Sequence, residues 1–442
     1  MGGFLFGYDW VVIGGAKPFY ESVFGITTAA GLQAWVMSSA IAGCIAGALF
    51  SGYLSDKVGR RKPLLLSAVL FFLGSIGTGF AGTPGMFVVF RIAGGAGIGL
   101  ASAISPIYIA EISPAAYRGR FVAVNQLTIV IGILSAQVVN YLIAEPVPEN
   151  ATTAFIRESW NGLWGWRLMF FACAVPSLLF FIMLSVLPES PRWLIRAGKT
   201  EEALPVLRRT GGEEYASIEA ASITLALKQS SGITSLRKLI SSKSGKVVLL
   251  GIVIAVFQQW SGVNIIFNYA QEVFASAGYG ISDILFNIVF TGSVNLVFTL
   301  VAMKFIDSWG RRRLMLTGAS GLAVIYIALG YSFYTGLQGT PVLVLVIAGI
   351  AIYAMTLAPV TWVVLSEIFP SQVRGAAMAV ATMALWVACF VLTYTFPLLN
   401  RSLGASGTFW IYAGICLGGF VFLLLKLPET RNKSLEEIEQ FI

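Results

Sequence analysis

"GYLSDKVGRRK", residues 52–62, is a short basic loop between two apolar runs. It returns in shortened form as "FIDSWGRRR", residues 305–313. Two further motifs repeat in the same order. "AEISPAAYRGR" (110–120) returns as "SEIFPSQVRGA" (366–376), and "LPESPRWL" (187–194) returns as "LPETRNKS" (427–434). The offsets are 251 residues from Asp56 to Asp307, 256 from Glu111 to Glu367 and 240 from Pro188 to Pro428. Three different motifs in one order, at nearly one offset, mark an internal duplication.

Working outward from these loops, composition names the solvent. The chain has 442 residues, 57% hydrophobic and 11% charged, with a mean hydropathy of +0.81. A soluble protein carries about 25% charged residues, so the solvent is a bilayer. Apolar segments of spanning length lie near 3–15, 32–54, 64–82, 86–108, 121–143 and 166–187. A polar stretch covers 188–246, and six more segments lie near 247–275, 282–306, 314–334, 342–365, 375–398 and 407–427. Their length is that of helices; a membrane β-barrel would show alternating strands of about ten residues. The expected fold is all-α with 12 transmembrane helices. Residues 1–187 and 247–427 form two six-helix halves, 188–246 is a cytoplasmic helical linker, and 428–442 is a cytoplasmic tail. "TEEALPVLRRTG" and "ASIEAASITLALKQ" read as short amphipathic helices of the linker.

The positive charges set the orientation. Of 29 Lys and Arg residues, 24 lie in the loops after the second, fourth, eighth and tenth spans, in the linker, in the tail, or at the span ends beside them (Lys304 and Lys426). Lys17, Arg157, Arg167 and Arg401 lie on the other side, and Arg91 is inside a span. The positive-inside rule then makes both termini and the linker cytoplasmic. The basic residues are divided among membrane loops, which excludes a nucleic-acid patch. There is no histidine, which excludes His-based proton relays, His metal sites and Ser/His triads. Cys44, Cys173, Cys389 and Cys416 sit in apolar runs without disulfide or CxxC spacing and read as core residues. "GGAGIG" (94–99) follows Arg91 with no strand before it, so it is helix-packing glycine and no dinucleotide loop. No cofactor or metal is expected, and the chain is no enzyme.

Two halves related by an axis along the membrane normal form a transporter architecture, with a substrate site between them near the midplane. At the cytoplasmic ends, Asp56 and Asp307 can cap short turns, while Gly59 and Gly310 let the chain reverse. Arg60, Arg61, Arg118, Arg311 and Arg374 can pair with Glu111, Glu189, Glu367 and Glu429. Such pairs could hold the cytoplasmic side shut and part when it opens; the plainer reading is loop stabilisation and topology.

The first span, "GGFLFGYDWVVIGG" (2–15), raises two points. From Met1 to Ala16 a helix covers about 24 Å at about 1.5 Å per residue, against a hydrocarbon core of about 30 Å. Either the helix is short or the sequence begins late, and the second is the expectation. The span also carries Asp9. Apart from span ends, Asp9 and Arg91 are the ionisable residues deep in spans, and intramembrane charges pair or serve a pathway. Both belong to the first half. Paired with Arg91, Asp9 stays ionised; parted from it in a low dielectric, it takes a proton. The alternative is a static buried salt bridge.

The seventh span, "IAVFQQWSGVNIIFNYAQEVF", is rich in amides. Gln258, Gln259, Asn264 and Asn268 do not share one stripe of a regular helix, but Gly262 can loosen it and let them converge. Amides both donate and accept, which suits sugar hydroxyls, and suits helix–helix hydrogen bonding equally.

Taken together, "GYLSDKVGRRK", "AEISPAAYRGR", "PESPRWL", "FQQWSGVNIIFNY" and "PVTWVVLSEIFPSQVRG" resemble the sugar porter family of the major facilitator superfamily over nearly the whole chain. The resemblance implies proton symport of a hexose or pentose by alternating access, with the proton as coupling ion. It implies sugar contacts at Gln258, Gln259 and Asn264, and also at Gln126, Asn295 and Phe6. Trp362 and Trp386 would be aromatic walls, since an indole offers a flat apolar face and one N–H. An acid at the Asp9 position accompanies symport in that family, and an amide there accompanies uniport. Departures occur at Leu385 and Cys389, where amides are usual, and at Asn268, where one of two paired Tyr residues is usual, so one rim of the pocket offers fewer hydrogen bonds. A facilitative uniporter, a drug/proton antiporter and a non-transporting sugar sensor are the rivals. The expected setting is the cell (inner or plasma) membrane, with lipid, a monosaccharide and a proton as partners and a monomer as the working unit.

Overall fold

The computed structural model describes residues 1–113, 118–148, 151–229, 242–369 and 374–431. Every element in them is a helix. In the first half these are α1 (Gly2–Phe24), α2 (Ala30–Val58), α3 (Arg61–Gly79), α4 (Pro84–Ile112), α5 (Arg118–Ile143) and, after a short helix Thr153–Glu158, α6 (Asn161–Val186). The linker gives α7 (Pro191–Arg196) and α8 (Thr200–Gln229). The second half gives α9 (Ser242–Trp260), α10 (Val263–Asn268), α11 (Ala270–Ser276), α12 (Ile281–Trp309), α13 (Arg311–Tyr334), α14 (Thr340–Met355), α15 (Leu357–Ile368) and α16 (Arg374–Lys426). Among the described residues these helices group into twelve segments of spanning length, because α9–α11 form one broken segment, α14 and α15 another, and α16 holds two joined at Gly404.

Leu49, Phe50, Val89, Leu142, Val186, Val324 and Leu425 stand exposed on these helices. So much bare apolar surface would be a liability in water and is what lipid contacts.

The first helix corrects the sequence reading. α1 does not stop near residue 15; it continues through Lys17 and Pro18 to Phe24 and has 23 residues. At about 1.5 Å per residue it is about 34 Å long, so the short span suggested by the sequence is absent. Lys17 fails to end the helix because its charge is met inside the protein rather than by water.

The breaks in other spans have local causes. Gly262 takes φ 87°, a left-handed backbone that separates α9 from α10. Thr356 (φ −124°, ψ −90°) separates α14 from α15, three residues before Pro359, which has no N–H to continue the ladder. In the linker, Gly212 (φ 87°) divides α8. Leu194, Ile195, Ala203, Leu207, Ala216 and Ala220 form its small core, as the amphipathic pattern leads one to expect.

Contacts group the chain into two compact units. Unit 1 is Met1–Asp9, Ser39–Gly132 and Phe170–Ile233. In it, the α4 glycines let helices touch backbone to backbone: a Cβ on Gly95 would lie 1.9 Å from the Ala40 carbonyl oxygen. Unit 2 is Trp10–Ser38, Ile133–Met169 and Thr234–Ile442. It takes in the later part of α1, the start of α2 and the end of α5. Asn140 Nδ2 donates to the Val12 carbonyl (3.0 Å), the Val147 N–H to Ser282 Oγ (2.9 Å) and Arg401 Nη1 to the Thr28 carbonyl (3.2 Å).

Candidate functional site

Within unit 1, α1 and α4 bring Asp9 and Arg91 together. Arg91 Nη1 donates to Asp9 Oδ1 at 2.7 Å and Nη2 reaches the Asp9 carbonyl at 3.4 Å. Both residues are 3% exposed. The guanidinium also lies over the Phe170 ring, 5.6 Å from its centre, a favourable seat for a desolvated cation. Asp9 Oδ2 is buried and has no hydrogen-bond partner among the described residues. A buried carboxylate oxygen left without a donor forgoes the hydrogen bonds it would make in water.

In unit 2, the left-handed turn at Gly262 folds the amides of α9 and α10 back on one another. Asn264 Nδ2 donates to Gln259 Oε1 (2.5 Å). Gln259 Nε2 donates to Gln258 Oε1 (2.8 Å), and Gln258 Nε2 to the Tyr353 hydroxyl (2.7 Å). Gln258 and Gln259 are 5% and 7% exposed. The three amides therefore converge as the glycine suggested, and Tyr353, which sequence reading passed over, is their fourth member. Asn268 and Asn295 are buried on α10 and α12. Trp386 on α16 is buried with its ring 5.9 Å from that of Trp10. Trp362 on α15 is half-buried, as are Phe6 and Gln126 in unit 1.

The duplicated loops repeat in geometry as well as in sequence. In unit 1, Arg60 holds Glu111 in a two-pronged pair, Nε to Oε2 at 2.8 Å and Nη2 to Oε1 at 2.9 Å; Ser190 Oγ donates to Glu111 Oε2 at 2.5 Å. In unit 2, Arg311 holds Glu367, Nη2 to Oε1 at 3.1 Å, and Thr430 Oγ1 donates to Glu367 Oε2 at 2.6 Å. The remaining acids differ from the expected role. Among the described residues, Glu189 and Glu429 take backbone N–H groups rather than arginine side chains. Glu189 Oε1 accepts from the Arg60 N–H (2.8 Å) and Oε2 from the Arg61 N–H (3.1 Å); Glu429 accepts from the Arg311 N–H (2.9 Å) and the Arg312 N–H (3.2 Å). Each carboxylate thus closes a helix N-terminus, where orphan donors and the helix dipole favour an anion. Gly59 (φ 94°) and Gly310 (φ 88°) make the reversals. Asp56 pairs with Arg196 at 2.8 Å and stands 3.7 Å from Arg60, so it ties the linker to the loop instead of capping a turn. The side chains of Arg118, Asp307 and Arg374 lie outside the described residues.

One cluster was missed altogether. Lys17 Nζ meets Glu21 Oε1 at 2.8 Å and also pairs with Glu272 of α11. Gln33 Nε2 donates to Glu21 Oε2 at 3.0 Å, and the ammonium lies 5.7 Å from the centre of the Tyr269 ring. Lys17 is 1% and Glu21 4% exposed. The i, i+4 spacing of Lys17 and Glu21 was the available signal, lost because the helix was ended too early.

Comparison with known proteins follows the same lines. Residues 1–441 match the family described as "Sugar (and other) transporter". The D-xylose-proton symporter of Escherichia coli (strain K12) is 37% identical, over 99% of this chain and 93% of that protein. The arabinose-proton symporter of Bacillus subtilis (strain 168) is 38% identical, over 100% of this chain and 92% of that protein. Among solved structures, the inward-open xylose transporter XylE from E. coli superposes with a TM-score of 0.86 at 35% identity, covering 100% of this chain and 97% of that one.

Proposed function

Since the chain belongs to the sugar porter family of the major facilitator superfamily, we propose that it imports a monosaccharide together with a proton by alternating access. It is a multi-pass membrane transporter and no enzyme. The observation that carries the proton coupling is the buried Asp9–Arg91 pair, with Asp9 Oδ2 left open. In the paired state Arg91 holds Asp9 as a carboxylate. A proton arriving on Oδ2 removes the charge that Arg91 answers, so the pair weakens and α1 is freed to shift against α4. Loss of the proton restores the pair. Protonation and the conformational equilibrium are thereby linked, and each biases the other.

The sugar contacts in this reading are Gln258, Gln259, Asn264, Asn295, Trp362 and Trp386, joined by Phe6 and Gln126. The amide chain on α9 and α10 supports it: buried side chains that both donate and accept recognise hydroxyl groups, and a missing hydroxyl leaves them unpaired. Phe6 precedes Asp9 by one turn of α1, which offers a short link between the two ligands. The working halves are 1–187 and 247–427. The Arg60 and Arg311 loops act as cytoplasmic braces, in which Arg60–Glu111 and Arg311–Glu367 hold the helix ends while the halves rock. The linker and both termini face the cytoplasm of a cell whose inner or plasma membrane houses a monomer.

The test is uptake of labelled D-xylose, arabinose and D-glucose into vesicles with and without an inward proton gradient. Accumulation that requires the gradient supports the reading. Equilibration at the same rate without it assigns the chain to facilitative uniport.

A further inference from the structure

We infer that Tyr353 is a further sugar-binding residue, whose hydroxyl accepts a hydrogen bond from Gln258 and gives its own proton to an oxygen of the monosaccharide. The inference rests on the proposed sugar site and adds to it a residue that no sequence motif marks.

Tyr353 lies near the end of α14, three residues before the break at Thr356, and is 7% exposed. Its oxygen accepts the Gln258 Nε2–H at 2.7 Å. That bond uses a lone pair and leaves the O–H proton over, because a phenol both accepts and donates. No bond donated by this hydroxyl occurs among the described residues. The neighbouring Cys389 thiol, buried and within electrostatic range, is only a weak acceptor. A buried donor is satisfied in nearly every native protein, so this proton points to a ligand oxygen as its acceptor. The surroundings agree: the hydroxyl is the terminal member of a chain running through Gln258 and Gln259 to Asn264, each link 2.5–2.8 Å long. Hydrogen bonds in such a chain polarise one another, and Gln258 donating into the phenol oxygen makes its proton a better donor.

The arrangement also ties the two broken spans of this unit together. Gln258 sits just before the Gly262 turn and Tyr353 just before the Thr356 break. A sugar oxygen meeting the Tyr353 proton therefore meets a group held from both spans, which favours one placement of that oxygen over its epimer.

The experiment uses the full chain, purified in detergent, with Tyr353→Phe and Gln258→Ala as variants. Tyr353→Phe keeps the ring and removes one oxygen. Binding is measured for whichever of D-xylose, arabinose and D-glucose binds most tightly, and for the monodeoxy analogues of that sugar. The expected result is that Tyr353→Phe weakens binding of the parent sugar roughly three- to tenfold, as for one buried neutral hydrogen bond. One deoxy analogue should bind wild type and Tyr353→Phe equally, because the acceptor of the lost bond is already gone. A structural role would instead weaken every analogue by the same factor, and that result overturns the inference. So does unchanged binding of the parent sugar by Tyr353→Phe while Gln258→Ala weakens it. If Gln258→Ala also binds normally, the sugar site itself is misplaced and both readings fall.

Discussion

Replacing Lys17 with Met should loosen unit 2 far more than its surface-like position in the sequence suggests. The ammonium pairs with both Glu21 and Glu272, and its side chain is 2% exposed against 5% and 24% for theirs. Removing one partner of a buried ion pair costs about 3–5 kcal/mol, because the charge left behind has neither water nor partner. Glu272 is part-exposed and recovers some hydration, which places the expected loss near the bottom of that range, about 3 kcal/mol. That is a shift of about a hundredfold in a local opening equilibrium. Amide hydrogen exchange reads such openings. Peptides covering 17–33 and 270–279 should lose about a hundredfold in protection, while α3, in unit 1, keeps its protection. The triple variant Lys17→Met, Glu21→Gln, Glu272→Gln removes the stranded charges and should regain most of the protection, since uncharged replacement of a whole buried cluster is often close to neutral. Unchanged exchange in Lys17→Met refutes the reasoning; so does a triple variant no better protected than the single one.

Other substitutions test other parts of the structure. Gln258→Ala strands the Gln259 amide and the Tyr353 hydroxyl and should weaken sugar binding roughly ten- to a hundredfold, measured by calorimetry. Gly95→Val would drive a side chain into the Ala40 carbonyl, where backbone cannot yield, and should abolish monodisperse protein on size exclusion. Its neighbour is the control: a Cβ on Gly94 meets nothing nearer than the Gly74 Cα at 3.8 Å, so Gly94→Ala should fold normally. Glu189→Gln and Glu429→Gln each weaken charge-assisted bonds to a helix N-terminus and should each lower stability by about 1–2 kcal/mol, read as matching drops in thermal midpoint. Markedly unequal drops would argue against equivalent roles for the duplicated loops.

The repeat was legible because each copy has a job that local geometry imposes. A basic loop that reverses needs Gly59 and Gly310 at positive φ, and the helix beginning there needs an anion at its N-terminus. The Asp9–Arg91 pair was legible because a bilayer makes isolated charges rare, so two of them in one half invite pairing. The convergence of Gln258, Gln259 and Asn264 was foreshadowed by Gly262, although choosing substrate contact over helix bonding needed the family resemblance. What escaped has physical reasons too. Lys17 looked like the end of a span because composition cannot show that Glu272, 255 residues away, supplies its counter-charge. Tyr353 is one hydroxyl in an apolar run and carries no periodic signal. Glu189 and Glu429 were expected on arginine side chains, since a sequence displays side-chain charge and hides the backbone donors of a helix start. The break at Thr356 depends on how α14 and α15 settle around Pro359, which no local propensity specifies.

The measurement closest to the central claim compares Asp9→Asn with wild type in vesicles loaded for two assays. The substitution keeps the size of the side chain and a hydrogen-bond acceptor for Arg91, and removes the group that takes the proton. Uphill, gradient-driven accumulation of the sugar should be lost, while sugar-for-sugar exchange down a gradient continues. Asp9→Asn that still accumulates sugar at the wild-type level would contradict proton coupling through the Asp9–Arg91 pair.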